Sequence, residues 1–323
     1  IMRCLCLLLL FFTAAGNAQT PASKIISLDP AFDKLVSPDA IMEILAEGFQ
    51  WAEGPVWVKD SAFLLFSDVK QNTIFRWKDG EGLRVFLRPS GYTGILPYSA
   101  EPGSNGLTIN QAGELVSCEH GDRRIAAMPF KQGGKRTLAD NYQGKRLNSP
   151  NDIVQGKNGD YYFTDPGYGL PAGEKSIPMG LYRLTAAGKV ELIDVYAAPN
   201  GVALSADGKK LYLAQSDGQK PVIMEYQLRA DGSLGGKRLF FDASALQRQG
   251  LQGAPDGLKL DLRGNVFSSG PGGIIVLNPA GKLIGRIETG DQTSNCAWGD
   301  DGSSLYLTVN SRLCRIKTNT RGF

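Results

Sequence analysis

Residues Asn151–Asp165 read NDIVQGKNGDYYFTD. A polar pair opens a short apolar strand, a Gly-containing turn reverses the chain, and a second apolar strand ends in an acid. That is the signature of a β-hairpin. The same phrase recurs in both directions along the chain. Upstream it reads EGPVWVKDSAFLLFSD from Glu53 and NGLTINQAGELVSCEHGD from Asn105. Downstream it reads NGVALSADGKKLYLAQSD from Asn200, DGLKLDLRGNVFSSG from Asp256 and NCAWGDDGSSLYLTVN from Asn295. The six copies start 52, 46, 49, 56 and 39 residues apart. Between them lie further β-type runs such as TIFRW, RIAAMPF, GLYRLT, VIMEYQL and GIIVLN. Each unit therefore offers roughly four short strands, the content of one propeller blade.

The repeats predict an all-β fold, a six-bladed β-propeller with four-stranded blades around a central metal site. They form one domain over residues 41–323. A ring of blades removes the exposed edges that a single twisted sheet would leave. The last copy has few residues after it, and the run IMEILAEGF from Ile41 has no blade of its own. That run is expected to add a strand to the final blade and close the ring. A short helix over Pro38–Ala46 is the competing reading, because Ile41, Ile44 and Leu45 also suit a helical face.

Composition narrows the function. The chain has 323 residues, 42% hydrophobic and 21% charged, which supports a sizeable core. The net charge is only +3 and no basic stripe stands out, so nucleic acid is not an expected partner. A single His and five Cys without a CxxC exclude a zinc finger or a multi-histidine metal centre. Arg3, the apolar run Cys4–Phe12 and the small-residue exit before Gln19 form a signal peptide over residues 1–18, followed by an extension over 19–40. The apolar run is too short to span a bilayer, so no membrane partner is expected after its removal. The protein is expected to be exported, periplasmic or secreted. Cys118, Cys296 and Cys314 then remain, and core packing is their expected role.

In each copy the tight turn (QAG, KNGD, ADGK, LRGN or DDGS) lies at one end of the hairpin. Glu53, Asn105, Asn151, Asn200, Asp256 and Asn295 therefore open the innermost strands at the opposite, upper end. Asp68, His120, Asp165 and Asp217 fall at or near the upper ends of the partner strands. The long connections 88–104, 135–150 and 165–179 gather there too, where sites are usually built. The ring is oxygen-only, and such donors suit one hard divalent cation. Glu53 and Asp256 match its charge, and Asn151 and Asn200 supply neutral oxygens. Ca²⁺ is the first choice, with Mg²⁺, Mn²⁺ or Zn²⁺ as alternatives.

The pieces AEGPVW, GKRLNSPNDIV with YYFTDPGYG, APNGVALS and APDGLKLD resemble the senescence-marker-protein/gluconolactonase family, which includes regucalcin. The chain is also similar to the squid-type diisopropyl fluorophosphatase. The resemblance runs from about Ile44 to the last blade. It implies metal ligands at Glu53, Asn200 and Asp256, with Asn151 as a fourth ligand or a substrate contact. It further implies a gluconolactonase-like hydrolase of sugar lactones, with a small-molecule lactone as its partner. In that scheme the metal polarises the carbonyl and Asp256 is the general base. Asn105, His120, Arg146 and Asn148 are the expected substrate contacts. Arg146 also reads as a loop-anchoring cation, and Asp68 and Asp165 as turn-fixing residues. The alternatives are a phosphotriesterase-type hydrolase on the same site, or a non-enzymatic exported propeller that binds a ligand or protein.

Overall fold

The computed structural model describes residues 23–323; the signal peptide expected over residues 1–18 lies outside them. Six antiparallel sheets follow one another along the chain. Blade one comprises Ala52–Val58, Phe63–Asp68, Thr73–Lys78 and Gly82–Leu87, and blade two Ser104–Ile109, Leu115–Glu119, Arg124–Met128 and Arg136–Ala139. Blade three holds Ile153–Gln155, Tyr161–Asp165, Gly180–Leu184 and Val190–Val195. Blade four holds Pro199–Leu204, Lys210–Gln215, Val222–Leu228 and Leu234–Asp242. Blade five comprises Leu258–Leu260, Val266–Gly270, Gly273–Leu277 and Leu283–Glu288. Blade six begins with Thr293–Gly299, Ser304–Val309 and Arg312–Lys317.

The fourth strand of blade six is Met42–Glu47, which pairs antiparallel with Arg312–Lys317 in the register Met42↔Ile316 and Ile44↔Cys314. The N-terminal run thus closes the ring as a strand, and the competing helix over Pro38–Ala46 does not form. Glu43 on this strand bridges to Arg315 at 2.7 Å, while Met42 points into the core. Further upstream, Lys24–Ser27 adds a fifth strand to the outer edge of blade five. The one-turn helix Pro30–Asp33 then seats Phe32 against Gly285, where a Cβ would lie 2.3 Å from the ring.

The core follows from the geometry of stacked blades. Apolar side chains cluster in six groups, one in each seam between neighbouring blades. The seam between blades six and one, for example, holds Leu64, Phe66, Trp77, Tyr306 and Leu313. Second strands are covered on both faces, so Phe63–Asp68 and Ser304–Val309 are buried at every residue. Truncating one of their leucines to Ala would cost about 2–5 kcal/mol. Cys118, Cys296 and Cys314 are free thiols buried in these seams. Among the described residues no helix is long and apolar enough to cross a membrane.

The first strand of each blade packs against the first strands of both neighbours, around a central axis. Glycines set how closely these strands approach. A Cβ on Gly54 would lie 2.1 Å from the Asn105 carbonyl oxygen, and one on Gly201 would lie 2.0 Å from that of Asp256. The Glu-Gly and Asn-Gly pairs at these positions are therefore packing devices and not turns. Where blade three carries Asp152 in place of glycine, its carboxylate accepts from the backbone N–H of Ile153 at 2.9 Å and of Val202 at 3.1 Å, which ties blade three to blade four.

Candidate active site

At the upper mouth of the axis lies a cavity of about 650 Å³. Glu53, Asn105, Asn151, Asn200 and Asp256 all line it, delivered by the second residue of a first strand or, for Asn151 and Asp256, by the position two residues ahead of one. Trp51, Glu101, Tyr168, Ser216, Asp217 and Thr293 complete much of the wall. A second cavity of about 520 Å³ opens at the far end of the axis. It is lined by apolar residues such as Val56, Leu107, Val154, Leu204 and Trp298, and none of the upper ring residues reaches it.

Hydrogen bonds aim the ring. Glu53 Oε2 accepts from the Gly54 N–H at 2.9 Å and from the Asn295 amide at 3.2 Å. The Asn295 carbonyl oxygen in turn accepts from the Cys296 N–H at 2.9 Å. Asn295 therefore orients Glu53 from the neighbouring blade. The Asn200 NH₂ donates to Ser216 Oγ at 2.8 Å, and Ser216 donates to the Pro255 carbonyl at 2.7 Å. That chain spends the amide's donor side and leaves its oxygen for the cavity. Asn105 and Asn151 are buried as residues, yet both meet the cavity.

Burial and mutual repulsion push both ring carboxyls above the usual carboxylate range. Desolvation dominates at Glu53 and again at Asp256, where the Glu53 charge adds to it. Two carboxylates forced together without a counter-charge are costly, and a cation between them removes the cost. The donor set fits one: two carboxylate groups and two amide oxygens, all hard ligands. Among the described residues no three His, Cys, Asp or Glu come together, so an ion here draws on the amides as well as the acids.

Of the four expected substrate contacts Asn105 lines the cavity, while His120 and Asn148 are buried away from it and Arg146 is exposed on a surface ribbon. The Asn148 amide is bound on both sides, its NH₂ donating to the Ile177 carbonyl at 3.0 Å and its oxygen accepting from the N–H groups of Ser176 at 2.8 Å and Ile177 at 3.2 Å. It fixes the 165–179 connection. Arg146 lies on the two-stranded ribbon Asn141–Tyr142/Lys145–Arg146 and donates to the Asp122 carbonyl at 2.8 Å, as a loop-anchoring cation does. His120 is fully buried. Its Nδ1 meets the Glu101 carbonyl oxygen at 3.1 Å, which can only accept, so Nδ1 carries the proton; Nε2 is buried without a partner. Burial holds this imidazole down to about 4, neutral at ordinary pH.

The two acids on neighbouring strands fix turns. Asp68 accepts from the N–H groups of Gln50 at 2.8 Å and Trp51 at 3.2 Å. Asp165 accepts from those of Asn148 at 2.8 Å and Ser149 at 2.7 Å, and so holds the chain just before Asn151. Sequence reasoning missed Glu101 and Tyr168 as wall residues. Both come from connections whose paths no periodicity encodes.

Comparison with known proteins places this geometry. The model of the SMP-30/Gluconolactonase/LRE-like region matches residues 51–311. A gluconolactonase of Zymomonas mobilis is 38% identical, over 96% of this chain and 92% of its own. A gluconolactonase structure from Xanthomonas campestris superimposes with a TM-score of 0.81 at 28% identity, over 93% of this chain and 96% of that one. The calcium-binding regucalcin of Agrobacterium tumefaciens, at 18% identity, shares the fold with a TM-score of 0.68 over 87% of this chain and 94% of its own. The chain belongs to the SMP-30/gluconolactonase family of six-bladed β-propellers.

Proposed function

We propose that this protein hydrolyses sugar lactones, gluconolactone among them, with one divalent cation, Ca²⁺ first, held by Glu53, Asn151, Asn200 and Asp256. The supporting observation is the convergence of two buried carboxyls and two amides on one axial cavity, in a chain 38% identical to a gluconolactonase. Bound there, a divalent cation supplies Lewis acidity toward the lactone carbonyl.

The chain's own groups do the rest. Glu53, fixed by Asn295 and the Gly54 N–H, is charge balance and does not move. Asp256 takes a proton from water at its free carboxylate oxygen as the water oxygen bonds to the carbonyl carbon. The bond from that carbon to the ring oxygen then breaks, and Asp256 returns the proton to the departing oxygen. The product is an open hydroxy acid. Asn105 is placed to orient the substrate beside the ring. Among the described residues the wall carries Glu53, Glu101, Asp217 and Asp256 and no Lys, Arg or His, so a neutral lactone enters and an anionic product is repelled. An N-terminal leader that exports the chain would place the reaction outside the cytoplasm.

Two substitutions test these assignments. Asp256→Asn should abolish turnover while leaving the unfolding transition in place; full activity would remove the base. Glu53→Gln should weaken Ca²⁺ binding in calorimetry, and unchanged affinity would take Glu53 out of the ligand set.

A further inference from the structure

Most polar groups of the upper wall belong to first strands or to the ends of their neighbours. Glu101 does not. It hangs from the connection between blades one and two and meets the cavity beside Ala100. Its charge is felt at Glu53, Asp256 and Tyr168, so its carboxyl faces the same space as the ring.

This connection is held as firmly as a strand. The Gly103 N–H donates to the Val69 carbonyl at 2.9 Å and the Ser104 N–H to Ser90 Oγ at 3.0 Å. From the other side His120 grips it twice, with Nδ1–H on the Glu101 carbonyl at 3.1 Å and its backbone N–H on the Gly103 carbonyl at 3.1 Å. Gly169 packs against the Cβ–Cγ–Nδ1 side of the same residue, where a Cβ would lie 2.4 Å from His120 Cβ and Cγ and 2.5 Å from Nδ1. The residue before that glycine is Tyr168, another wall residue. One buried imidazole therefore sets both Glu101 and Tyr168 at the mouth.

We propose that Glu101 is the specificity-determining residue of this site, accepting a hydrogen bond from a ring hydroxyl of a neutral polyhydroxylated lactone, and that His120 is the residue that positions it. The proposal rests on the lactone-hydrolase reading above. A carboxylate is a strong acceptor for a hydroxyl in a partly desolvated pocket. A lactone without hydroxyls gains nothing from it. A lactone bearing a carboxylate or phosphate meets four acidic side chains, against the single positive charge of Lys70, which lies 5.5 Å over the Trp51 ring and acts on Glu101.

The test compares kcat and KM of Ca²⁺-loaded wild type, Glu101→Ala, Glu101→Gln and His120→Asn on glucono-1,5-lactone and on δ-valerolactone, which has the same ring without hydroxyls. Glu101→Ala should raise KM for the hydroxylated lactone by about tenfold with little change in kcat, Glu101→Gln by less. Both should leave kcat/KM for δ-valerolactone within about twofold. His120→Asn should move KM in the same direction, again for the hydroxylated lactone alone. Equal losses on both substrates, or none on either, would overturn the proposal. A wild type that opens neither lactone would overturn the hydrolase reading itself and this inference with it.

Discussion

The neutral His120 gives a test of the upper-face architecture that does not depend on the reaction. An unfolded histidine titrates near 6.5, and burial holds this one down to about 4. The depressed value means that the folded protein prefers the neutral ring. Its stabilising contribution is therefore complete above the unfolded value and is lost as pH falls from about 6.5 toward about 4. Integrating over that window, the loss by pH 5 amounts to about 2 kcal/mol. Asp165, raised by burial to about 7, acts in the opposite sense and stabilises the fold as pH falls. Glu53 and Asp256, raised by burial as well, act in the same sense as Asp165, so the raw pH profile mixes several groups and the measurement is a difference. Urea unfolding of wild type and His120→Gln at pH 7.5 and pH 5 isolates the histidine, because the constant cost of the substitution cancels. Wild type should lose about 2 kcal/mol more than the variant between the two conditions. Identical losses would mean that His120 is solvated, and the locked connection carrying Glu101 would go with it.

Two further outcomes follow from the ring. Gly201→Ala drives a Cβ to within 2.0 Å of the Asp256 carbonyl oxygen, a backbone atom that cannot swing aside as a side chain could. It should cost about 1–3 kcal/mol in chemical unfolding and weaken Ca²⁺ binding as well, since it shifts a ligand-bearing segment; a variant of unchanged stability would refute the close approach. Deleting residues through Glu47 strips the closing strand from Arg312–Lys317 and leaves an open edge. The truncated protein should melt earlier and aggregate, and a soluble truncated chain with the same melting temperature would mean that the ring closes without that strand.

The repeat was legible because each blade must present one small-residue first strand and one doubly buried second strand. That demand writes the same phrase six times. The ring residues were legible for the same reason, since the position that opens a first strand is fixed by the hairpin. His120, Arg146 and Asn148 were harder. Each lies at the correct height on the molecule, but depth from the axis depends on how the connections fold over them. Asn148 commits both sides of its amide to Ser176 and Ile177, and His120 ends beneath Glu101. Glu101 itself left no trace in the pattern, because its place is set by hydrogen bonds to Val69, Ser90 and His120 from three separate segments. A polar residue between two prolines in a loop carries no signal of that kind.

The central claim is a metal-dependent lactone hydrolase, and one assay addresses it directly. Acid release from glucono-1,5-lactone is followed with the protein in EDTA and then after Ca²⁺ is added, against the spontaneous hydrolysis of the lactone. The account predicts a rate at the spontaneous background in EDTA and a large enhancement once calcium is restored. Enhancement that persists in EDTA would contradict the metal role. A background rate with every divalent ion, despite tight binding of the ion, would contradict the lactone.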